Sequence, residues 1–187
     1  MIRLASSSQT RSKLLSEAHI EFIQEVKDFD EDSIIATSAK NFVYLATLGK
    51  YKTNLEAFGF NDYPLLVADT VVTSQKKILR KAKSIDEARD ILMMQSGNVT
   101  SIITCMIYQS KDLKLIDISS TDYIFDNFDL DDLEIFLQSD EWRGKAGACM
   151  VEGFCKPYIK EVRGYESTAM GLNIKVLKRF LPSSMGT

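Results

Sequence analysis

The sequence from Leu65 to Val72 reads LLVADTVV, an almost continuous apolar run that follows Pro64. A short apolar run bounded in this way predicts a strand that is buried on both faces, as in the centre of an α/β sheet. Asp69 lies within the run, and a buried carboxylate is unfavourable unless it meets a cation or a metal ion. Asp69 therefore either pairs with a backbone amide or a lysine at the strand end, or serves as a metal ligand or general base in a cleft.

The segments on either side of this run alternate between strand and helix patterns. Short β-type segments at 2–5 and 21–26 precede it, and residues 36–58 repeat apolar side chains at helical spacing. After it, Ser84 and Glu87 have the spacing of a capping box, which predicts a helix to Met94. Two β-rich segments at 99–108 and 113–125 predict a hairpin, and short strands are expected among the glycines of residues 144–171. The fold class is therefore α/β, a mixed sheet in one domain that spans residues 1–187.

The composition excludes several classes of function. The chain has 187 residues, and 26 acidic against 23 basic side chains give a net charge of −3, whereas nucleic-acid polymers and anionic membranes attract basic proteins. A single histidine, His19, excludes zinc motifs with two histidines and argues against a Ser-His-Asp triad. Three cysteines without a C-x-x-C pair predict buried free thiols in a reducing cytosol.

The start of the chain and its longest uncharged run bear on location. Ser6, Ser7 and Ser8 follow Met1 closely, so no apolar segment of a signal peptide is present there. Residues 91–110 are almost free of charges but contain too many polar side chains for a membrane span. We expect a cytoplasmic protein that has no membrane partner.

The segment from Ser6 to Arg11 predicts a helix start with an unusual charge. If Ser8 caps the helix, Arg11 occupies the third helical position, where the positive end of the helix dipole disfavours a cation. An anion held by Arg11, the hydroxyl groups and the backbone N–H groups would reverse that effect. The alternatives are a phosphate site and an ordinary capped helix with a solvated arginine.

Other charged residues are candidates for the same chemistry. Asp30 and Glu31 lie in an acidic loop that is either solvated or supplies oxygen ligands for Mg²⁺ together with Asp69. Lys50 and Lys52 lie on opposite flanks of the apolar helix seam, so helix geometry does not choose between them. Lys81, a further candidate, lies in the basic cluster of residues 76–83. Glu152, the last candidate, precedes Gly153 in the glycine-rich part of the chain.

These motifs occur in an order that resembles the Maf family of nucleoside triphosphate pyrophosphatases, also called septum-formation-inhibitor proteins. The motifs are Ser6-x-Ser8 with Arg11, Asp30-Glu31, Ala68-Asp69-Thr70-Val71-Val72, Ser96-Gly97, Lys145-Ala146-Gly147-Ala148, and Gly164 followed by Gly171-Leu172. The resemblance extends from about Ile2 to Phe180. It implies an elongated mixed sheet with flanking helices and two lobes around a cleft, similar to inosine-triphosphate pyrophosphatases. It also implies hydrolysis of a nucleoside triphosphate to the monophosphate and pyrophosphate with Mg²⁺ or Mn²⁺, and a homodimer.

The resemblance assigns roles to individual residues. Ser8 and Arg11 are expected to hold phosphate, while Glu31 and Asp69 are expected to bind the metal or activate the attacking water. Lys50, with Lys52 as the alternative, and Lys81 are expected to neutralise the triphosphate.

The residues also carry information on the preferred base. Thr70 resembles the branch of the family that acts on dTTP and UTP, but Glu152 stands where the family has glutamine, which leaves the base preference open. Gln9-Thr10 replaces the family's Pro-Arg, and Ala82 replaces a proline after Lys81. The alternative function is a nucleotide-binding regulator of cell division without significant turnover.

Overall fold

The structure, a computed structural model, describes residues 1–31, 34–149 and 151–181. Its strands are β1 (Ile2–Leu4), β2 (Phe22–Gln24), β3 (Leu65–Ser74), β4 (Lys77–Leu79), β5 (Val99–Gln109), β6 (Lys114–Phe125) and β7 (Ile159–Arg163). Its α-helices are α1 (Gln9–Glu17), α2 (Ala39–Phe58), α3 (Ile85–Gln95), α4 (Leu130–Gln138), α5 (Glu166–Ala169) and α6 (Ile174–Phe180). The elements confirm the predicted α/β class.

The strands form one mixed sheet in the order β2-β1-β3-β5-β6-β7, and β4 pairs with β3 outside this path. Strand β1 runs parallel to both β2 and β3, with Arg3 opposite Ile23 on one side and Leu65 on the other. The short strands β4 and β7 are antiparallel to β3 and β6. The run from Leu65 to Val72 therefore lies inside the sheet as its composition predicts, and every side chain from Leu65 to Asp69 is buried.

Side-chain caps explain where most of the helices begin. Ser8, Ser38 and Ser84 each accept a hydrogen bond from the backbone N–H three residues later, which satisfies one of the donors that a helix start leaves unpaired. The predicted capping box at Ser84 is formed in part. The Glu87 carboxylate accepts from the backbone N–H of Lys83 at 2.7 Å, one residue before the cap.

The chain folds into two compact units, and strands β3, β5 and β6 contribute residues to both. The first unit comprises residues 1–70, 103–120 and 165–187. Its core packs helices α1 and α6 against the strands through buried side chains that include Leu15, Leu66, Met106 and Leu177.

The second unit comprises residues 71–102 and 121–164 and has an aromatic core. Phe154 stacks on Phe136 with ring centroids 4.6 Å apart and meets Phe128 edge-on at 5.2 Å. Trp142 is fully buried, and its indole N–H donates to the carbonyl oxygen of Leu137 at 2.9 Å. The single tryptophan is thus a packing residue of this core.

Two expectations about the second unit were wrong. The described residues of the glycine-rich segment 144–171 hold one strand, β7, and otherwise turns and short helical segments, because positive φ angles at Gly144, Gly147 and Gly164 favour turns. Cys149 and Cys155 are joined in a disulfide across six residues, so they are not free thiols. In the first unit, Cys105 is buried and free as expected. Within the described ranges, no helix is long and apolar enough to cross a membrane.

Candidate functional site

Helix α1 begins at the carboxyl end of β1, and Ser8 is its N-cap as predicted. The Ser8 hydroxyl oxygen accepts from the backbone N–H of Arg11 at 3.3 Å, and the Ser6 hydroxyl oxygen accepts from the backbone N–H of Ser8 at 3.2 Å. Arg11 is therefore in the first turn, at the positive end of the helix dipole. The predicted juxtaposition of hydroxyl groups and a cation at this helix start is present.

The guanidinium of Arg11 is held by three acceptors of the protein. Its Nε donates to the Gly171 carbonyl oxygen at 3.0 Å, Nη1 donates to the Ser6 hydroxyl at 3.0 Å, and Nη2 donates to the Thr70 hydroxyl at 3.1 Å. Arg11 is thus not the solvated side chain of the plainer interpretation. These three contacts use three of the five N–H donors of the guanidinium, so two donors are left for an anion.

Lys50 lies between the two acidic residues that the sequence singles out. Its Nζ is 2.5 Å from the Glu31 Oε1 and 2.5 Å from the Asp69 Oδ1. Asp69 is 7% exposed, on β3, whereas Lys50 is on α2 and partly buried. The structure therefore places Lys50 at the carboxylates, while Lys52 is exposed.

Five of the residues described above line one pocket of about 270 Å³: Ser6, Ser8, Arg11, Glu31 and Lys50. Asp69 lies beside it as the partner of Lys50. Burial lowers the pKa of Arg11, and the negative charges of Asp69 and Glu31 oppose that change. The guanidinium of Arg11 carries a positive charge, as arginine side chains in proteins do. The site thus combines the cations Arg11 and Lys50 with the carboxylates of Glu31 and Asp69, and Lys27 and Asp28 add one charge of each sign to the pocket lining.

Thr70 follows Asp69 on β3 and connects Arg11 to the neighbouring strand β5. Its hydroxyl accepts from Arg11, and it lies 2.9 Å from the hydroxyl of Thr104 on β5. Of the eight predicted site residues, six therefore come together in the first unit: Ser8, Arg11, Glu31, Lys50, Asp69 and Thr70.

The other two predicted residues, Lys81 and Glu152, belong to the second unit. Lys81 lies just after β4 and forms an isolated antiparallel bridge with Ala146, which belongs to the small-residue motif. Glu152 lies in the turns between Cys149 and Cys155. Their roles in the site stay predictions.

Comparison with known proteins identifies the family. The Maf-like protein family matches residues 1–184. The chain belongs to the Maf family. It is 54% identical to the nucleoside triphosphate pyrophosphatase of a Nitratiruptor species, over 95% of this chain and 96% of that protein.

Two more distant Maf relatives carry the same name. The nucleoside triphosphate pyrophosphatase of Helicobacter pylori (strain J99 / ATCC 700824) is 38% identical, over 93% of this chain and 91% of that protein. The nucleoside triphosphate pyrophosphatase of Campylobacter jejuni (strain RM1221) is 37% identical, over 97% of this chain and the whole of that protein. The Maf resemblance drawn from the ordered motifs is thereby confirmed.

Three residues of the Maf pocket and its surroundings were not predicted as site residues. Ser6 belongs to the Ser6-x-Ser8 motif, and its place two residues before Ser8 was the available signal. Gly171 belongs to the last of the ordered motifs, and its φ of +106° brings its backbone against Arg11. Thr104 gives no signal, because a threonine in a buried strand is ordinary.

Proposed function

We propose that this protein hydrolyses nucleoside triphosphates, dTTP and UTP first among them, to the monophosphate and pyrophosphate with Mg²⁺ or Mn²⁺. The observation that carries the proposal is Lys50 between Glu31 and Asp69 beside the guanidinium of Arg11. A phosphate site needs cations, and a water nucleophile needs a carboxylate to orient it or accept its proton. The names of the Maf relatives point to the same reaction.

The phosphate chain would be held by the start of α1 and by Arg11. The first N–H groups of a helix point out of its N-terminus, where they bind phosphate oxygens. Arg11 is fixed by Gly171, Ser6 and Thr70, so the remaining N–H groups of the guanidinium are oriented before a ligand arrives. Such preorganisation lowers the entropy lost on binding.

The two carboxylates fit a divalent cation. The Glu31 Oε1 and the Asp69 Oδ1 lie at the same short distance from one ammonium nitrogen, so both can face one small cation. Mg²⁺ commonly uses one or two carboxylates together with substrate phosphates and water. A bound divalent ion would offset phosphate charge and polarise the α-phosphoryl group. Within the described residues, no cluster of three or more carboxylate, histidine or cysteine ligands is present, so phosphate and water would complete the coordination.

The remaining residues complete the reaction. Asp69 or Glu31 orients the attacking water or accepts its proton, and no covalent intermediate is required. Lys50 exchanges its carboxylate partners for phosphate oxygens, and Lys81 adds a second ammonium. Thr70 and Glu152 contact the nucleotide, and Glu152 contributes to the choice of base because a carboxylate only accepts hydrogen bonds, whereas glutamine also donates them.

Replacement of Asp69 tests the catalytic assignment. Asp69→Asn should lower kcat at least about a hundredfold, on the order of 3 kcal/mol, because the amide is a poor base and a weak metal ligand. The matched control is Asp62→Asn, an exposed carboxylate in the same unit, which should behave as the wild type. Pyrophosphate and monophosphate are measured by chromatography, and near-wild-type turnover by Asp69→Asn contradicts the role of Asp69.

A panel of common and modified triphosphates tests the substrate. Wild type and Glu152→Gln are compared in Mg²⁺, in Mn²⁺ and with chelator. Pyrophosphate release from dTTP and UTP that disappears with chelator supports the proposal, and single-phosphate release points instead to a phosphomonoesterase. Nucleotide binding without any release of pyrophosphate supports the regulatory alternative.

A further inference from the structure

The hydrogen bonds that hold Arg11 continue into the interior of the first unit. Thr70 lies 2.9 Å from Thr104, and the Thr104 hydroxyl donates to the carbonyl oxygen of Thr168 at 2.7 Å. The same carbonyl accepts from the backbone N–H of Gly171 at 3.0 Å, and the Gly171 carbonyl accepts from the Arg11 Nε. The five residues form a closed ring that connects α1, β3, β5 and the turn after α5.

The ring fixes the direction of each hydroxyl. A carbonyl oxygen only accepts, so the single hydrogen of the Thr104 hydroxyl is used on Thr168. The contact between Thr70 and Thr104 then requires Thr70 to donate. Toward Arg11, Thr70 therefore presents an oxygen lone pair, which is what the guanidinium needs.

Thr104 lies outside the pocket. It is 1% exposed, and the lining of the pocket does not include it. Any effect of its hydroxyl on a bound ligand must therefore pass along the ring to Arg11. The shorter route runs through Thr70, which contacts both Thr104 and Arg11. Without the Thr104 hydroxyl as its acceptor, the hydroxyl hydrogen of Thr70 would be free to turn toward Arg11, where it would oppose the Nη2 hydrogen.

We propose that Thr104 is a positioning residue for nucleotide hydrolysis, which sets the hydroxyl of Thr70 as an acceptor and so holds the guanidinium of Arg11 against the substrate phosphates. The inference rests on the proposed function only where kcat/KM is measured. The affinity for inorganic tripolyphosphate tests the hydrogen-bonded ring without any hydrolysis. Hydrogen bonds in such a chain strengthen one another, so removing an inner member weakens the outer ones.

The test compares three side chains at position 104. Thr104→Val keeps the shape and removes the hydroxyl, and should lower kcat/KM about tenfold or more. Thr104→Ser keeps the hydroxyl and should stay within about threefold of the wild type. Thr100→Val is the matched control, a buried threonine on the same strand whose hydroxyl contacts Gln95, and it should leave kcat/KM unchanged. If Thr104→Val does not fold, Thr104→Cys replaces it, because a thiol is a weaker hydrogen-bond donor than a hydroxyl. The kcat/KM of Thr104→Cys must then be clearly lower than that of Thr104→Ser.

A double-mutant cycle separates positioning from a general loss of stability. In an Arg11→Ala background, Thr104→Val should change kcat/KM by less than about twofold, because its route through Arg11 is gone. An equal fold-loss in both backgrounds overturns the proposal, as does a Thr104→Val variant that equals the wild type.

Calorimetry with tripolyphosphate distinguishes this outcome from failure of the proposed function. If the wild type releases no pyrophosphate, the proposed function fails, and the ring is judged by affinity alone. Thr104→Val should then bind tripolyphosphate about tenfold more weakly, and unchanged affinity overturns the positioning role.

Discussion

Replacing Gly171 by alanine should disturb Arg11 directly. The φ of Gly171 is +106°, and a Cβ atom there would lie 3.0 Å from the Arg11 Nε and 3.4 Å from both the Arg11 Nη2 and the Thr70 Oγ1. A separation of 3.0 Å requires the neighbour to move by a few tenths of an ångström. Arg11 cannot move freely, because three acceptors hold its guanidinium.

The magnitude follows from the bonds at risk. Loss of one hydrogen bond to a charged group removes about 1.5–3 kcal/mol. If that loss appears in the transition state, kcat/KM falls roughly 10–150-fold. The unfavourable φ independently lowers the free energy of unfolding by about 1–3 kcal/mol, which a domain of ordinary stability tolerates.

The assay measures pyrophosphate release from dTTP together with urea unfolding. The matched control is Gly59→Ala, because Gly59 also has a positive φ, +63°, but an added Cβ meets nothing within 4 Å. Gly59→Ala should lose stability while kcat/KM stays unchanged. A folded Gly171→Ala protein with wild-type kcat/KM would refute the reasoning, since it would show that the position of Arg11 is unimportant.

Three further predictions use the same contacts and the cysteines. Lys50→Met should lower kcat/KM roughly a hundredfold, about 2.7 kcal/mol, because Lys50 lies at both carboxylates. Lys52→Met replaces an exposed side chain and should leave kcat/KM unchanged. Equal losses of kcat/KM in the two variants would contradict the assignment of Lys50. Arg11→Lys keeps the positive charge but loses the guanidinium that bonds to Gly171, Ser6 and Thr70, so kcat/KM should fall roughly tenfold or more. Full activity of this variant would mean that the charge alone is sufficient. Thiol titration at about pH 8 should find no reactive thiol in the native protein, because burial raises the pKa of Cys105 to about 11. Unfolding without reductant should expose one thiol, and unfolding with reductant should expose three. Three thiols in the unfolded protein before reduction would disprove the Cys149–Cys155 disulfide.

The parts of the fold that the sequence predicts are those with a local cause. Strand β3 follows from an almost continuous apolar run, and the start of α1 follows from the capping preference of Ser8. The hairpin of β5 and β6 follows from two long β-rich segments with a polar turn between them. Strand β4 pairs with β3 through a two-residue turn in which Gln75 and Lys76 both have positive φ. Such turns usually carry Asn or Gly, so this sequence gives no signal of the hairpin.

The site shows the same division. Asp69 and Arg11 are conspicuous because a carboxylate in a buried strand and a cation at a helix start are both locally unfavourable. Lys50 and Lys52 cannot be separated by local pattern, because the choice depends on which flank of α2 faces Asp69. Thr104 and the carbonyl of Gly171 are invisible in the sequence, since one is an ordinary strand residue and the other is a backbone group.

The charges around Arg11 and Lys50 explain why these two cations behave differently. Arg11, Lys50, Glu31 and Asp69 sum to zero, so this cluster does not by itself offset the negative charge of a triphosphate. Arg11 is tied to neutral acceptors and keeps its full charge available, whereas Lys50 is already paired with both carboxylates. Lys50 gains from contact with phosphate only if another cation takes over Glu31 and Asp69. Affinity for tripolyphosphate should therefore rise when Mg²⁺ is added to the wild type, and should rise less in a Glu31→Gln variant, in which only one carboxylate has to be neutralised.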